Sequence, residues 1–113
     1  MSNILIAEDE SRIASFLEKG LRKNGFTTVI ATNGEEALQM IQNNGFDLLL
    51  LDLGLPVIDG WTVLKKLRDG GCQIPIIVVS AYNNVDKDSG MTDYIAKPFR
   101  FQQLLERVKF HLQ

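Results

Sequence analysis

Glu8 and Asp9 directly follow the apolar run Ile4–Ala7. Asp52 follows the four leucines at 48–51, Ser80 follows Ile76–Val79, and Lys97, with Pro98 behind it, follows Tyr94–Ala96. The longer runs have the continuous apolar character of strands buried on both faces, so these polar residues stand at strand ends. Open parallel sheets bind ligands beyond the carboxyl ends of their strands. Three carboxylates, a hydroxyl and an ammonium are therefore expected to converge on one edge. Carboxylates packed together repel and raise one another's pKa; a hard divalent cation relieves this, and carboxylate oxygens suit Mg²⁺. A carboxylate beside Mg²⁺, a lysine and a hydroxyl suit phosphoryl transfer, in which positioning and charge neutralisation do the work. An acid directly after four buried leucines is costly to keep without such a job.

The elements that must position these groups alternate between strand and helix. Ser11–Asn24 carries Ile13, Phe16, Leu17 and Leu21 at helical spacing, with Gly25 as a stop. Thr27–Ala31 reads as a second strand. Thr32-Asn33-Gly34-Glu35 has capping-box spacing ahead of a helix whose apolar face is Ala37, Leu38 and Ile41. Trp61–Arg68 reads as a third helix, with Val63, Leu64 and Leu67 among its core and rim residues and Gly70-Gly71 closing it. Phe101, Leu104, Leu105, Val108 and Leu112 form one stripe on a last helix and leave Phe110 exposed. Five strands alternating with helices imply a parallel sheet covered on both faces. Between Ser80 and Ile95 the pattern breaks into polar, turn-prone residues. His111, the only histidine, is read as a favourable residue near a helix C-terminus, and Cys72 as a loop thiol.

Composition narrows the function classes. The 113 residues carry 12 basic and 14 acidic side chains, a net charge of −2, so no basic excess drives contact with a nucleic-acid backbone. With 45% hydrophobic residues and near-neutral charge the chain is not disordered. One cysteine excludes an intramolecular disulfide and points to a reducing compartment. The N-terminus has no basic and apolar leader, and no apolar run is long enough to span a membrane, so a cytoplasmic location is expected.

Four segments together resemble the receiver domain of two-component response regulators. They are Ile4-Leu5-Ile6-Ala7-Glu8-Asp9-Glu10; Leu51-Asp52-Leu53-Gly54-Leu55-Pro56 with Asp59-Gly60; Val78-Val79-Ser80-Ala81; and Asp93-Tyr94-Ile95-Ala96-Lys97-Pro98-Phe99. Each is weak alone; four in order, at the right strand ends and across essentially the whole chain (residues 1–113), are specific. The resemblance implies a flavodoxin-like (CheY-like) doubly wound α/β fold, a five-stranded parallel sheet of order 2-1-3-4-5 with helices on both faces. It implies that Asp52 accepts a phosphoryl group from a sensor histidine kinase or phosphotransfer protein. Asp9, Glu8, Asp52 and the backbone carbonyl of Gly54 would bind Mg²⁺. Ser80 and Lys97 would hold the phosphoryl oxygens, with Lys97–Pro98 cis, and Tyr94 would be the aromatic switch. Such a protein is a switch rather than an enzyme, with at most self-phosphorylation from small phosphodonors and self-dephosphorylation. Its output would be a downstream protein or a C-terminal output domain. Met1 directly before the first strand is read as a native start, of a stand-alone receiver or of the front of a longer regulator.

The stretch from Ser80 to Lys97 is shorter than the family usually has by about five residues, roughly one and a half helical turns. The loss falls on the helix between the fourth and fifth strands, part of a face that many relatives use to dimerise or dock partners. Gly54 and Tyr82, two residues after Asp52 and Ser80, are expected to tune the phosphoryl lifetime, Gly54 by opening the site and Tyr82 by screening it. Two alternatives compete. A Mg²⁺-dependent phosphatase working through an aspartyl phosphate needs a second acid two residues after its nucleophile, where this chain has Gly54. A receiver-like interaction module that no longer takes phosphate usually lacks an acid or the lysine, and this chain keeps them all. A dinucleotide site is excluded, since no G-x-G-x-x-G follows the first strand.

Overall fold

A computed structural model of the chain describes residues 2–81 and 89–113. The described elements run β1 (Asn3–Ala7), α1 (Ser11–Lys23), β2 (Thr27–Ala31), α2 (Gly34–Asn43), β3 (Leu48–Asp52), α3 (Gly60–Asp69), β4 (Ile76–Ser80), β5 (Asp93–Ala96) and α4 (Phe101–His111). The strands form one sheet of order β2-β1-β3-β4-β5, every neighbouring pair parallel. This is the parallel sheet expected from the strand–helix alternation, in the doubly wound order that the receiver-domain resemblance implies.

Period-two alternation divides each central strand between two cores. Leu5, Leu49, Leu51, Ile76 and Val78 face α2 and α3, packing with Leu38, Val63, Leu64 and Leu67. Ile4, Ile6, Leu48, Leu50, Ile77 and Val79 face the other way and pack with Leu17, Leu21, Leu104, Leu105 and Val108 of α1 and α4. The unbroken Leu48–Leu51 run follows from this, because a leucine is needed on both faces.

Two local readings are corrected. Phe16 is 52% exposed, at the edge of the α1 stripe rather than in the core, where it meets the Phe101 ring edge-to-face at 5.8 Å. The α2 cap is one residue later than its capping-box spacing suggested: Asn33 accepts from the Glu36 N–H at 2.8 Å, and Glu36 reaches back to the Thr32 N–H, also at 2.8 Å. Asp52 and Ser80 are the last residues of β3 and β4, at the strand ends expected for them.

The loop from β3 to α3 contains a strained turn. Ile58 N–H donates to the Pro56 carbonyl at 2.8 Å, and Val57 between them has φ 69° and is 73% exposed. A β-branched residue in this region is held by its neighbours at a cost of about 1–2 kcal/mol. Glycine removes that strain but adds about 0.5–1 kcal/mol of unfolded-chain entropy. Val57→Gly is therefore expected to raise stability by about 0.5–1 kcal/mol, read as a higher urea midpoint; a lower midpoint contradicts the strained assignment.

Candidate functional site

The carboxyl ends of β1, β3, β4 and β5 meet on one edge. One carboxylate oxygen each of Glu8, Asp9 and Asp52 lies within 4.8 Å of the others. Lys97 closes the group from β5, its Nζ 3.0 Å from Glu8 Oε1 and 3.7 Å from Asp52 Oδ1. The Gly54 N–H donates to Asp52 Oδ1 at 3.3 Å, and the Glu10 N–H to Glu8 Oε2 at 3.1 Å. Ser80, 1% exposed, ends β4 one position beyond Val79, the register partner of Asp52. The Tyr94 hydroxyl stands 3.4 Å from the Ser80 carbonyl oxygen. The Lys97–Pro98 peptide is cis. A cavity of about 350 Å³, lined by Ile13, Ala81, Lys97, Pro98 and Phe99, opens beside the lysine.

Electrostatically the site holds surplus negative charge. Glu8 is 3% exposed, and burial, reinforced by the Asp52 charge, pushes its carboxyl above the usual range despite hydrogen bonds from Lys97 and the Glu10 amide. Burial alone pulls Lys97 down, but its hydrogen bond to Glu8 and the charges of Glu8, Asp52 and Glu10 outweigh that and raise it. One ammonium does not balance three clustered acids. An all-oxygen donor set holding one buried, reluctantly ionised carboxyl fits a hard divalent cation such as Mg²⁺.

Glu8, Asp9, Asp52, Gly54, Ser80 and Lys97 thus fall on this edge; Tyr94 sits further back on β5, opposite Val78, and only its hydroxyl reaches toward Ser80, while Tyr82 lies outside the described residues. Gly54 leaves the acid's flank open: a Cβ there would come only within 3.9 Å of Asp52 Oδ2.

Sequence reading missed the glycines that set the backbone here. A Cβ on Gly60 would overlap the Asp52 carbonyl oxygen and come within 2.6 Å of Leu53 Cα, and the Gly60 N–H donates to the Leu53 carbonyl at 3.0 Å. A Cβ on Gly34 would overlap the Ile58 carbonyl, so α2 begins pressed against the same loop. The signal available was Asp59-Gly60, a helix cap followed by the smallest residue, which reads equally as a plain helix start. His111 was read too generically: its Nε2 is 2.9 Å from Asp93 Oδ2, while Arg107 Nη1 donates to Oδ1 at 2.7 Å. Burial alone would raise the Asp93 carboxyl, but its bonds to His111, the Tyr94 N–H and Arg107 take it below the usual range.

Comparison with known proteins agrees with this geometry. The family model described as the response regulator receiver domain matches residues 4–109. The chain is 37% identical to the transcriptional regulatory protein PcoR of Escherichia coli, over 96% of this chain and 50% of that protein. It is 38% identical to the transcriptional regulatory protein PrrA of Mycobacterium tuberculosis, over 94% of this chain and 48% of that protein. The chain therefore spans about half the length of the curated relatives it matches. Among solved structures, the receiver domain of Francisella response regulator 1452 superposes with TM-score 0.95 at 33% identity, covering 99% of this chain and 97% of that one. TrrA of Thermotoga maritima, solved with Mg²⁺ and a beryllium fluoride, superposes with TM-score 0.91 at 35% identity, covering 99% and 100%. With the sheet order, the acidic edge and the family match in agreement, the chain belongs to the receiver domains of two-component response regulators.

Proposed function

We propose that Asp52 is the phospho-acceptor of this receiver, and that Glu8, Asp9, Asp52 and the Gly54 backbone carbonyl hold Mg²⁺ beside it. The observation that carries this reading is the position of the Lys97 ammonium, on Glu8 and within 3.7 Å of Asp52, at the rim of the acidic cluster. When bound, Mg²⁺ supplies positive charge that offsets the phosphoryl oxygens and the clustered acids. An Asp52 carboxylate oxygen attacks the phosphorus of a phosphohistidine. The new P–O bond forms as the P–N bond breaks, and the imidazole nitrogen takes the bonding pair. Lys97 then exchanges its carboxylate partners for a phosphoryl oxygen, and the Ser80 hydroxyl donates to another. Tyr94 follows Ser80 inward, which changes the face around β5.

The phosphodonor in this reading is a sensor histidine kinase or a phosphotransfer protein in the cytoplasm. The output is a downstream protein or an attached output domain, with residues 1–113 forming one receiver domain. With its net charge of −2, the chain is assigned no direct contact with nucleic acid. Turnover is limited to self-phosphorylation from small donors and self-dephosphorylation. Gly54 and Tyr82 set the phosphoryl lifetime through water access.

The metal requirement tests the reading. With acetyl phosphate, phosphorylation is expected in Mg²⁺ and not in EDTA. Asp9→Asn, which leaves the acceptor in place, is expected to slow it at least about tenfold by weakening the cation site. Equal phosphorylation in EDTA would show that the acids do not work through a metal.

A further inference from the structure

The guanidinium of Arg68, in the last turn of α3, makes four hydrogen bonds to neutral acceptors. Nε donates to the Gly90 carbonyl at 2.8 Å, and Nη1 to the carbonyls of Cys72 at 3.0 Å and Ile74 at 2.7 Å. Nη2 reaches Thr92 Oγ1 at 3.4 Å. Among the described residues none of these partners is a carboxylate, and burial pulls the guanidinium below its ordinary value. A charge held this way is doing something other than ion pairing.

The acceptors fall in two groups. Cys72 and Ile74 immediately precede β4; Gly90 and Thr92 immediately precede β5. The same junction is cross-tied without the arginine, since Ile76 N–H donates to Thr92 Oγ1 at 2.8 Å and Thr92 N–H to the Ile76 carbonyl at 2.8 Å. Arg68 therefore grips the N-terminal ends of β4 and β5 as a pair. The C-terminal ends of the same two strands carry Ser80 and Lys97. At about 3.3 Å per residue they lie roughly 17–20 Å from the nearest gripped residues, Thr92 and Ile74. Gly90 makes the grip possible: at φ 98° it takes a conformation suited to glycine, and a Cβ there would be 2.9 Å from Arg68 Cγ. The helix bearing Arg68 starts at Gly60, pressed on the Asp52 carbonyl. One rigid helix thus spans from the acceptor's backbone to the far end of the strand pair that carries Ser80, Tyr94 and Lys97.

We propose that Arg68 is a positioning residue for the response to phosphorylation, holding β4 and β5 in the alignment of the unphosphorylated form. This rests on the assignment of Asp52 as acceptor. The grip is complete in the form in which Lys97 sits on Glu8 and Asp52 and the Tyr94 hydroxyl faces the Ser80 carbonyl. A phosphoryl group on Asp52 draws Ser80 and Lys97 toward it, and with the other ends of their strands pinned, that movement works against the grip. Cutting the grip lowers the energy separating the two forms, so by reciprocity the phosphoryl site binds its ligand more tightly.

The test is titration with beryllofluoride in Mg²⁺, followed by the fluorescence of Trp61, which sits in the first turn of α3. Arg68→Met, which keeps the stem and loses the donors, is expected to bind about fivefold more tightly than wild type. Arg68→Lys, with one ammonium in place of the fork, should fall between them, and Gly90→Ala, which displaces the arginine stem, should follow Arg68→Met. Urea unfolding of each variant identifies any that is not folded, and the remaining variants decide. An unchanged or weakened affinity in folded variants overturns the proposal and leaves Arg68 as a loop anchor. Failure of wild type to bind beryllofluoride overturns the acceptor assignment, and this proposal with it.

Discussion

Gly60→Ala is expected to destabilise the protein by about 2–3 kcal/mol and to slow phosphorylation by about 100-fold. The residue does not have positive φ, so the cost is not conformational, and alanine is intrinsically the better helix former. The cost is contact. The added methyl meets the main chain of Asp52 and Leu53, which cannot rotate away as a side chain could. Either α3 moves out, opening the core around Val63 and Leu64, or β3 yields at its last residue. In both cases the carboxylate shifts relative to Asp9 and Lys97. A small displacement of a reacting group matters far more to rate than to stability. Urea unfolding gives the first number, and the acetyl phosphate reaction of the folded variant gives the second. A wild-type midpoint with a wild-type rate would mean that α3 does not position Asp52.

Lys97→Met is the second large effect. It leaves Glu8, whose side chain is 4% exposed, without its cation, while Asp52 remains beside it. Removing one partner of a buried pair is expected to cost about 3 kcal/mol at neutral pH in EDTA. The sign with pH follows from Glu8. Its folded pKa is already above the ordinary 4.5, so the stability linked to its protonation is full below 4.5 and is lost as pH rises through the folded value. Without Lys97 the folded value climbs further, and the loss grows. The deficit of Lys97→Met should therefore be largest near neutrality and shrink on acidification toward pH 4.5. Mg²⁺ at neutral pH should restore part of it by supplying the missing charge. A deficit independent of both pH and Mg²⁺ would mean that the lysine contributes packing alone.

The fold and the acidic edge were legible because both are written in strand-length periodicity. Leu48–Leu51 announces a strand buried on both faces, and the polar residue at each run's end falls on the functional edge by topology alone. What escaped was carried by residues whose partners are distant in sequence. Phe16 fits the helical stripe of α1, but its angular position puts it at the rim beside Phe101. Gly34 and Gly60 look like helix starts, and only the packed structure brings them against Ile58 and Asp52. Arg68 bonds main-chain carbonyls, which have no residue-specific signature. Asp93 precedes the β5 tyrosine as one more turn-prone acid until Arg107 and His111 arrive on α4. The Asn33 cap was displaced by one residue because Thr32 and Asn33 are both good caps, and Glu36 selects between them.

The most direct test of Asp52 as acceptor is intact mass after incubation with acetyl phosphate and Mg²⁺, comparing wild type with Asp52→Ala. Wild type is expected to gain one phosphoryl group, about 80 Da, and the variant none. An equal gain in Asp52→Ala would place the phosphoryl group on another residue and contradict the account at its centre.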